Sequence, residues 1–167
     1  AESMLAGIML DTRNYCMHTG VRTFEASAFL RRRGADPIAV KKLFADSIEH
    51  HKIKNSIVST AQQHKIYAIA VNDNNNLSDE ESRIVSSQAA DELLNISGVK
   101  ASFVLSRVGD AINISARSYG EVNVQLIMER LGGGGHRTMS ACQIEERNFA
   151  VAKQLLLEAI SKNEEEN

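Results

Sequence analysis

VKASFVLSRVGDAINISAR, the stretch from Val99 to Arg117, decides the fold. Val99, Ala101, Phe103 and Leu105 recur at every second position, and Ile112, Ile114 and Ala116 do the same after Gly109-Asp110. Period two is the mark of strands with one buried face. A two-residue turn at Gly109-Asp110 joins them into a hairpin and fixes the register. Leu105 then falls opposite Ile114, Phe103 opposite Ala116 and Ser102 opposite Arg117. Apolar meets apolar and polar meets polar, so Arg117 shares a polar face with Asn113 and Ser115.

Working outward, Ile66 to Val71 is an apolar run of strand length, expected to be buried on both faces. Ser78 and Glu81 have capping-box spacing and open a helix carrying Val85, Ala89, Leu93 and Ile96. Downstream, Asn123 caps a helix with Val124, Ile127, Met128 and Leu131 on one face. Met139 to Ile144 reads as a strand, Phe149 to Ile160 as the last helix, and Glu164 to Glu166 as a solvated tail. Before residue 63 the pattern is helical, with one helix ending at Gly34 and another opened by Asp36-Pro37. The fold class expected is α/β: a mostly helical, incomplete segment 1–63 with a connector helix, then a small mixed-sheet domain over 64–167. Helical spacing is already under way at Leu5, Ile8 and Met9, which reads as a piece of a longer protein.

The 167 residues carry a formal net charge of −2, which gives no basic field for duplex nucleic acid. Cys16 and Cys142 stand far apart without a C-x-x-C partner, arguing against a zinc site or a disulfide framework. No apolar run approaches the roughly 20 residues of a membrane span.

Two features point to chemistry. Gly132-Gly133-Gly134-Gly135-His136-Arg137 is more glycine than a helix cap needs. Such a run lets backbone N–H groups crowd around an anion, with His136 and Arg137 adding donors at its mouth. Arg117, projecting toward it, would clamp a phosphate bidentately, or else is a solvent-exposed strand arginine. Asp11, in Asp11-Thr12-Arg13-Asn14, reads either as a helix terminator or as a hard-oxygen ligand for Mn²⁺ or Mg²⁺.

Ile114-Ser115-Ala116-Arg117-Ser118, Val122-Asn123-Val124 and the glycine–histidine run together resemble the DHH-associated C-terminal domain of DHH phosphoesterases. Ala6-Gly7-Ile8-Met9-Leu10-Asp11-Thr12-Arg13-Asn14-Tyr15 resembles the last motif of the DHH catalytic domain. Arg22 to Ser27, Gly34-Ala35-Asp36 and Thr138 to Ala141 look most like the cyclic-di-AMP phosphodiesterases of GdpP type. Oligoribonucleases of the nanoRNase type, and the nucleic-acid-binding appendages of alanyl-tRNA synthetases, are the alternatives.

The resemblance implies hydrolysis of cyclic-di-AMP to linear pApA at a two-Mn²⁺ centre, with Asp11 as one metal ligand. It implies substrate-phosphate binding by Arg117, Ser118, Gly133, Gly134, Gly135, His136 and Arg137, with no catalytic residue proper in this stretch. A cyclic or short linear dinucleotide is the expected partner, and a homodimer is compatible with the pattern. The family's H-x-D-x-D and Asp-His-His motifs are missing, so the stretch by itself is expected to be inactive. The resemblance also implies a cytoplasmic domain of a membrane-anchored parent.

Overall fold

The computed structural model describes residues 1–166, which divide into two compact units, Ala1–Ser47 and a second from Ile48 onward. The first holds α1 (Glu2–Asp11), α2 (Val21–Arg32) and α3 (Pro37–Leu43) around a small core of Leu5, Leu30, Ala35 and Val40. Asp36 caps α3, its carboxylate accepting from the N–H groups of Ile38 at 3.2 Å and Ala39 at 3.3 Å. Pro37 in the first turn has no N–H to leave unsatisfied.

The second unit runs α4 (Ile48–Ser59), β1 (Gln62–His64), β2 (Tyr67–Asn72), α5 (Asp79–Leu93), β3 (Ala101–Val108), β4 (Ala111–Ser118), α6 (Val124–Glu129), β5 (Gly134–His136), β6 (Met139–Ile144) and α7 (Phe149–Glu165). Its strands form one mixed sheet in the order β1-β2-β3-β4-β6-β5. Only β2 and β3 pair in parallel, across the α5 crossover; the other pairs are antiparallel. The hairpin register is the one read from the sequence, with Ser102 opposite Arg117, Phe103 opposite Ala116 and Leu105 opposite Ile114.

Each face of the sheet is covered differently. Phe103, Leu105, Ile112, Ile114 and Cys142 pack under α6 and α7, against Ile127, Met128, Leu156 and Ile160. Ala68, Ala70 and Val104 face the other way, under Val85, Ala89 and Leu93 of α5, with Ile57 of α4 joining that cluster. The helix read as a connector packs with the second unit, and the compact units part after Ser47.

Two readings differ in the structure. The glycine run, read as an open cradle for an anion, is in part strand, since Gly134–His136 form the edge strand β5. Glu164 and Glu165 are not a tail but the last turn of α7. Glu164 binds Lys65 at 2.7 Å and Glu166, the C-cap, binds Arg130, so these carboxylates are tied back to the fold.

Candidate ligand-binding cleft

Alternation along β4 places Asn113, Ser115 and Arg117 on the α5 side of the sheet, as the bonds from Arg117 to that helix show. Their partners on β6 are Gln143, Ala141 and Met139. Beyond those, Gly134 stands opposite Ala141 and His136 opposite Met139. Side chains directly opposed in a ladder share a face. Arg117, Met139 and His136 thus form one row, and Ser115, Ala141 and Gly134 the next. Helix α5 lies over β2 and β3 and contributes Arg83 and Ser87 to the rim of a cavity of about 300 Å³ that reaches Asn113, Ser115, Arg117 and Met139.

Arg117 is the anchored member of the cleft. It is 6% exposed, and α5 holds it in place. Nη2 donates to Ser87 Oγ, Nη1 to the Ala116 carbonyl at 2.9 Å, and Nε lies 3.4 Å from Asp91 Oδ1. Ser87 and Asp91 are one helical turn apart, so both reach the same guanidinium. A buried guanidinium aimed along a polar sheet face is a suitable receptor for a phosphate or carboxylate. Asn113, on the same strand, donates to Ser115 Oγ at 3.4 Å. Arg83 and Gln143 meet at 3.5 Å at the cleft's outer end.

The glycines divide by role. Gly132, at φ 81°, ends α6: its N–H and that of Gly133 return to the carbonyls of Glu129 and Met128. Gly133 and Gly135 permit close packing on β6. A Cβ on Gly133 would sit 2.2 Å from the Ala141 carbonyl oxygen, and one on Gly135 2.6 Å from that of Met139. Around Gly134 there is open space, and the register puts Gly134 and His136 on the Arg117 face of the sheet, beside Ala141 and Met139.

Ser118 and Arg137 are not brought there. Ser118 is fully buried on the α6 face, its hydroxyl donating to the Val122 carbonyl at 2.7 Å. Arg137 donates from Nε to the Gly120 carbonyl and lines a separate hollow with Tyr67, Asn123 and Glu164. In that hollow burial, then Glu164, push the Tyr67 hydroxyl up to about 12. The sequence reading missed Arg83, Ser87, Asp91 and Met139. The first three recur every fourth residue along α5, a spacing that marks one helical stripe.

Asp11, in the other unit, is exposed at the C-terminal end of α1. After Thr12, Arg13, Asn14 and Tyr15 all take positive φ, 46°, 55° and 66°. Such conformations are costly for residues with a Cβ and cluster at functional loops. Thr12 fastens the turn, donating to the Ile8 carbonyl at 2.6 Å and accepting from Tyr15 N–H at 3.0 Å. Among the described residues no group of three or more His, Cys, Asp and Glu side chains could hold a metal ion.

The DHHA1 domain profile matches residues 65–162, covering both faces of the sheet just described. The chain belongs to the DHHA1 family. It is 46% identical over 163 residues to the cyclic-di-AMP phosphodiesterase GdpP of Geobacillus thermodenitrificans, covering 96% of this chain and 24% of that protein. It is 40% identical over 162 residues to the cyclic-di-AMP phosphodiesterase PdeA of Listeria monocytogenes, with the same coverages. The DHHA1 chain thus spans about a quarter of the length of these relatives. Among solved structures, an exopolyphosphatase-related protein from Bacteroides fragilis superposes with a TM-score of 0.78 at 22% identity, over 93% of this chain and 47% of that one. That likeness concerns the fold.

Proposed function

We propose that this chain is the C-terminal part of a phosphodiesterase that opens cyclic-di-AMP to linear pApA, and that its sheet cleft holds a substrate phosphate. The observation that carries the reading is Arg117: buried, fixed by Ser87, Asp91 and the Ala116 carbonyl, and in one row with Met139 and His136 on the same face of the sheet. The identity to two cyclic-di-AMP phosphodiesterases over nearly the whole chain supports the substrate class.

In this reading Arg117 takes phosphate oxygens, His136 adds a hydrogen-bonding group at the edge, and Gly134 leaves room for the ligand. Their work is binding and orientation, which converts an encounter into a held geometry. Asp11 would be one ligand of a manganese centre whose other ligands come from elsewhere in the parent enzyme. Such a centre, when present, polarises the scissile phosphate and supplies the nucleophilic water. The membrane anchor that the resemblance implies for the parent belongs to this reading; among the described residues no helix is long and apolar enough to cross a membrane.

The test compares the parent enzyme with its Arg117→Ala and Asp11→Ala variants on cyclic-di-AMP, with products separated by chromatography. Arg117→Ala should raise KM at least tenfold with kcat changed much less, and Asp11→Ala should abolish turnover. Faster cleavage of linear pApA than of the cyclic substrate would replace this reading with an oligoribonuclease. Salt-dependent RNA binding without turnover would replace it with a binding module.

A further inference from the structure

Met139 stands at the centre of the cleft. It is the common ladder partner of Arg117 on one side and His136 on the other. Opposed Cα atoms in antiparallel strands lie about 4.5–5.5 Å apart, so Arg117 and His136 are separated by about 10 Å at the backbone with Met139 between them. Any ligand held by both must pass over the thioether. The next row, Ser115, Ala141 and Gly134, carries only small side chains, so nothing from it rises over Met139. Met139 is 46% exposed, a long apolar side chain beside the polar groups of Arg83, Ser87, Asn113, Ser115 and Arg117 that line the same cavity. A bare phosphate gains nothing from it. A flat aromatic ring does, because a polarisable sulfur packs well against π surfaces.

We propose that Met139 is a specificity-determining residue that packs against a nucleobase of the ligand whose phosphate Arg117 holds. The inference rests on the dinucleotide reading above and adds what that reading lacks, a contact that distinguishes a nucleotide from inorganic phosphate. Arg117 then selects for charge and Met139 for the base beside it.

The test labels the methionine methyl groups of the 167-residue chain with ¹³C and titrates cyclic-di-AMP, with inorganic phosphate as the parallel probe. The Met139 methyl resonance, assigned by its loss in Met139→Leu, should move upfield under the adenine ring current and saturate with binding. Met139→Ala should weaken cyclic-di-AMP about tenfold, the scale of losing most of a buried apolar side chain. Met139→Leu should stay within a few-fold of wild type, and phosphate affinity should be the same in all three. Saturable, Arg117-dependent binding of cyclic-di-AMP with an unmoved Met139 methyl and unchanged Met139→Ala affinity would overturn this inference alone. Absence of saturable cyclic-di-AMP binding would overturn the dinucleotide reading and this inference with it.

Discussion

Gly133 and Gly134 are neighbours with opposite demands. A methyl on Gly133 would drive into the Ala141 carbonyl and Cys142, whereas one on Gly134 would meet nothing. Gly133→Ala should therefore lower stability by about 1–3 kcal/mol, the usual scale of overpacking, read as a drop in Tm. Gly134→Ala should leave Tm nearly unchanged yet weaken dinucleotide binding, because the methyl fills ligand space. Equal loss of Tm in both variants would contradict the division of the run. The cysteines offer a second check at this scale. Burial pushes the Cys142 thiol up to about 12, while Cys16 is exposed. The thiolate is the reactive form, so iodoacetamide at pH 8 should label Cys16 and spare Cys142 until the chain unfolds. In the sequence all four glycines look alike. What separates them is the strand β6 that arrives afterward, and composition holds no trace of that close approach.

At the level of elements, α5 does two jobs: it covers β2 and β3 with Val85, Ala89 and Leu93, and it holds Arg117 with Ser87 and Asp91. Its start is a capping box in which Ser78 Oγ accepts from Glu81 N–H at 3.3 Å and Glu81 Oε2 accepts from Ser78 N–H at 3.0 Å. Ser78→Ala should cost about 1 kcal/mol, visible in denaturant midpoint, with dinucleotide affinity nearly intact. That box, the hairpin register and the caps at Asp36 and Asn123 were legible because each is a local rule written in adjacent residues. The strands β1 and β5 were not. Gln62–His64 and Gly134–His136 are three residues each, too short to alternate, and they exist because a neighbouring strand offers an open edge. The role of Asp91 was equally hidden, since it depends on a strand 26 residues later. Termini of elements also carry pH dependence. The Ser78 hydroxyl and N–H hold the Glu81 carboxyl below its usual range, and Lys65 does so for Glu164. Their folded values are depressed, so their contribution is present above the usual glutamate pKa and is lost as pH falls through the folded values. Tyr67 acts in the alkaline direction. Raised from 10.0 to about 12 by burial and Glu164, it contributes stability below pH 10 that is lost as pH climbs toward 12. Tyr67→Phe should flatten the stability-against-pH curve in that window, and an unchanged curve would contradict it.

Across the whole molecule the two units differ in how much apolar surface they bury. The unit from Ile48 encloses two clusters, one on each side of its sheet. The unit Ala1–Ser47 buries only Leu5, Leu30, Ala35 and Val40, while Leu10, Val21, Phe24, Ile38 and Leu43 remain more than half exposed. It also carries an apolar-walled cleft of about 910 Å³ beside Met9, Leu10, Arg13 and Phe44. Fewer than about 50 residues with so small a core sit at the margin of independent folding. A chain beginning at Ile48 should therefore keep a cooperative thermal transition by calorimetry, whereas residues 1–47 alone should show none. The most direct test of the central claim, that the Arg117 face of the sheet is the ligand cleft, is amide chemical-shift mapping of cyclic-di-AMP on the 167-residue chain. The account predicts saturable shifts concentrated at Ser115, Arg117, Gly134, His136 and Met139, and their disappearance in Arg117→Ala with the spectrum otherwise folded. Shifts gathered instead around Tyr67, Asn123 and Arg137, and surviving Arg117→Ala, would contradict it.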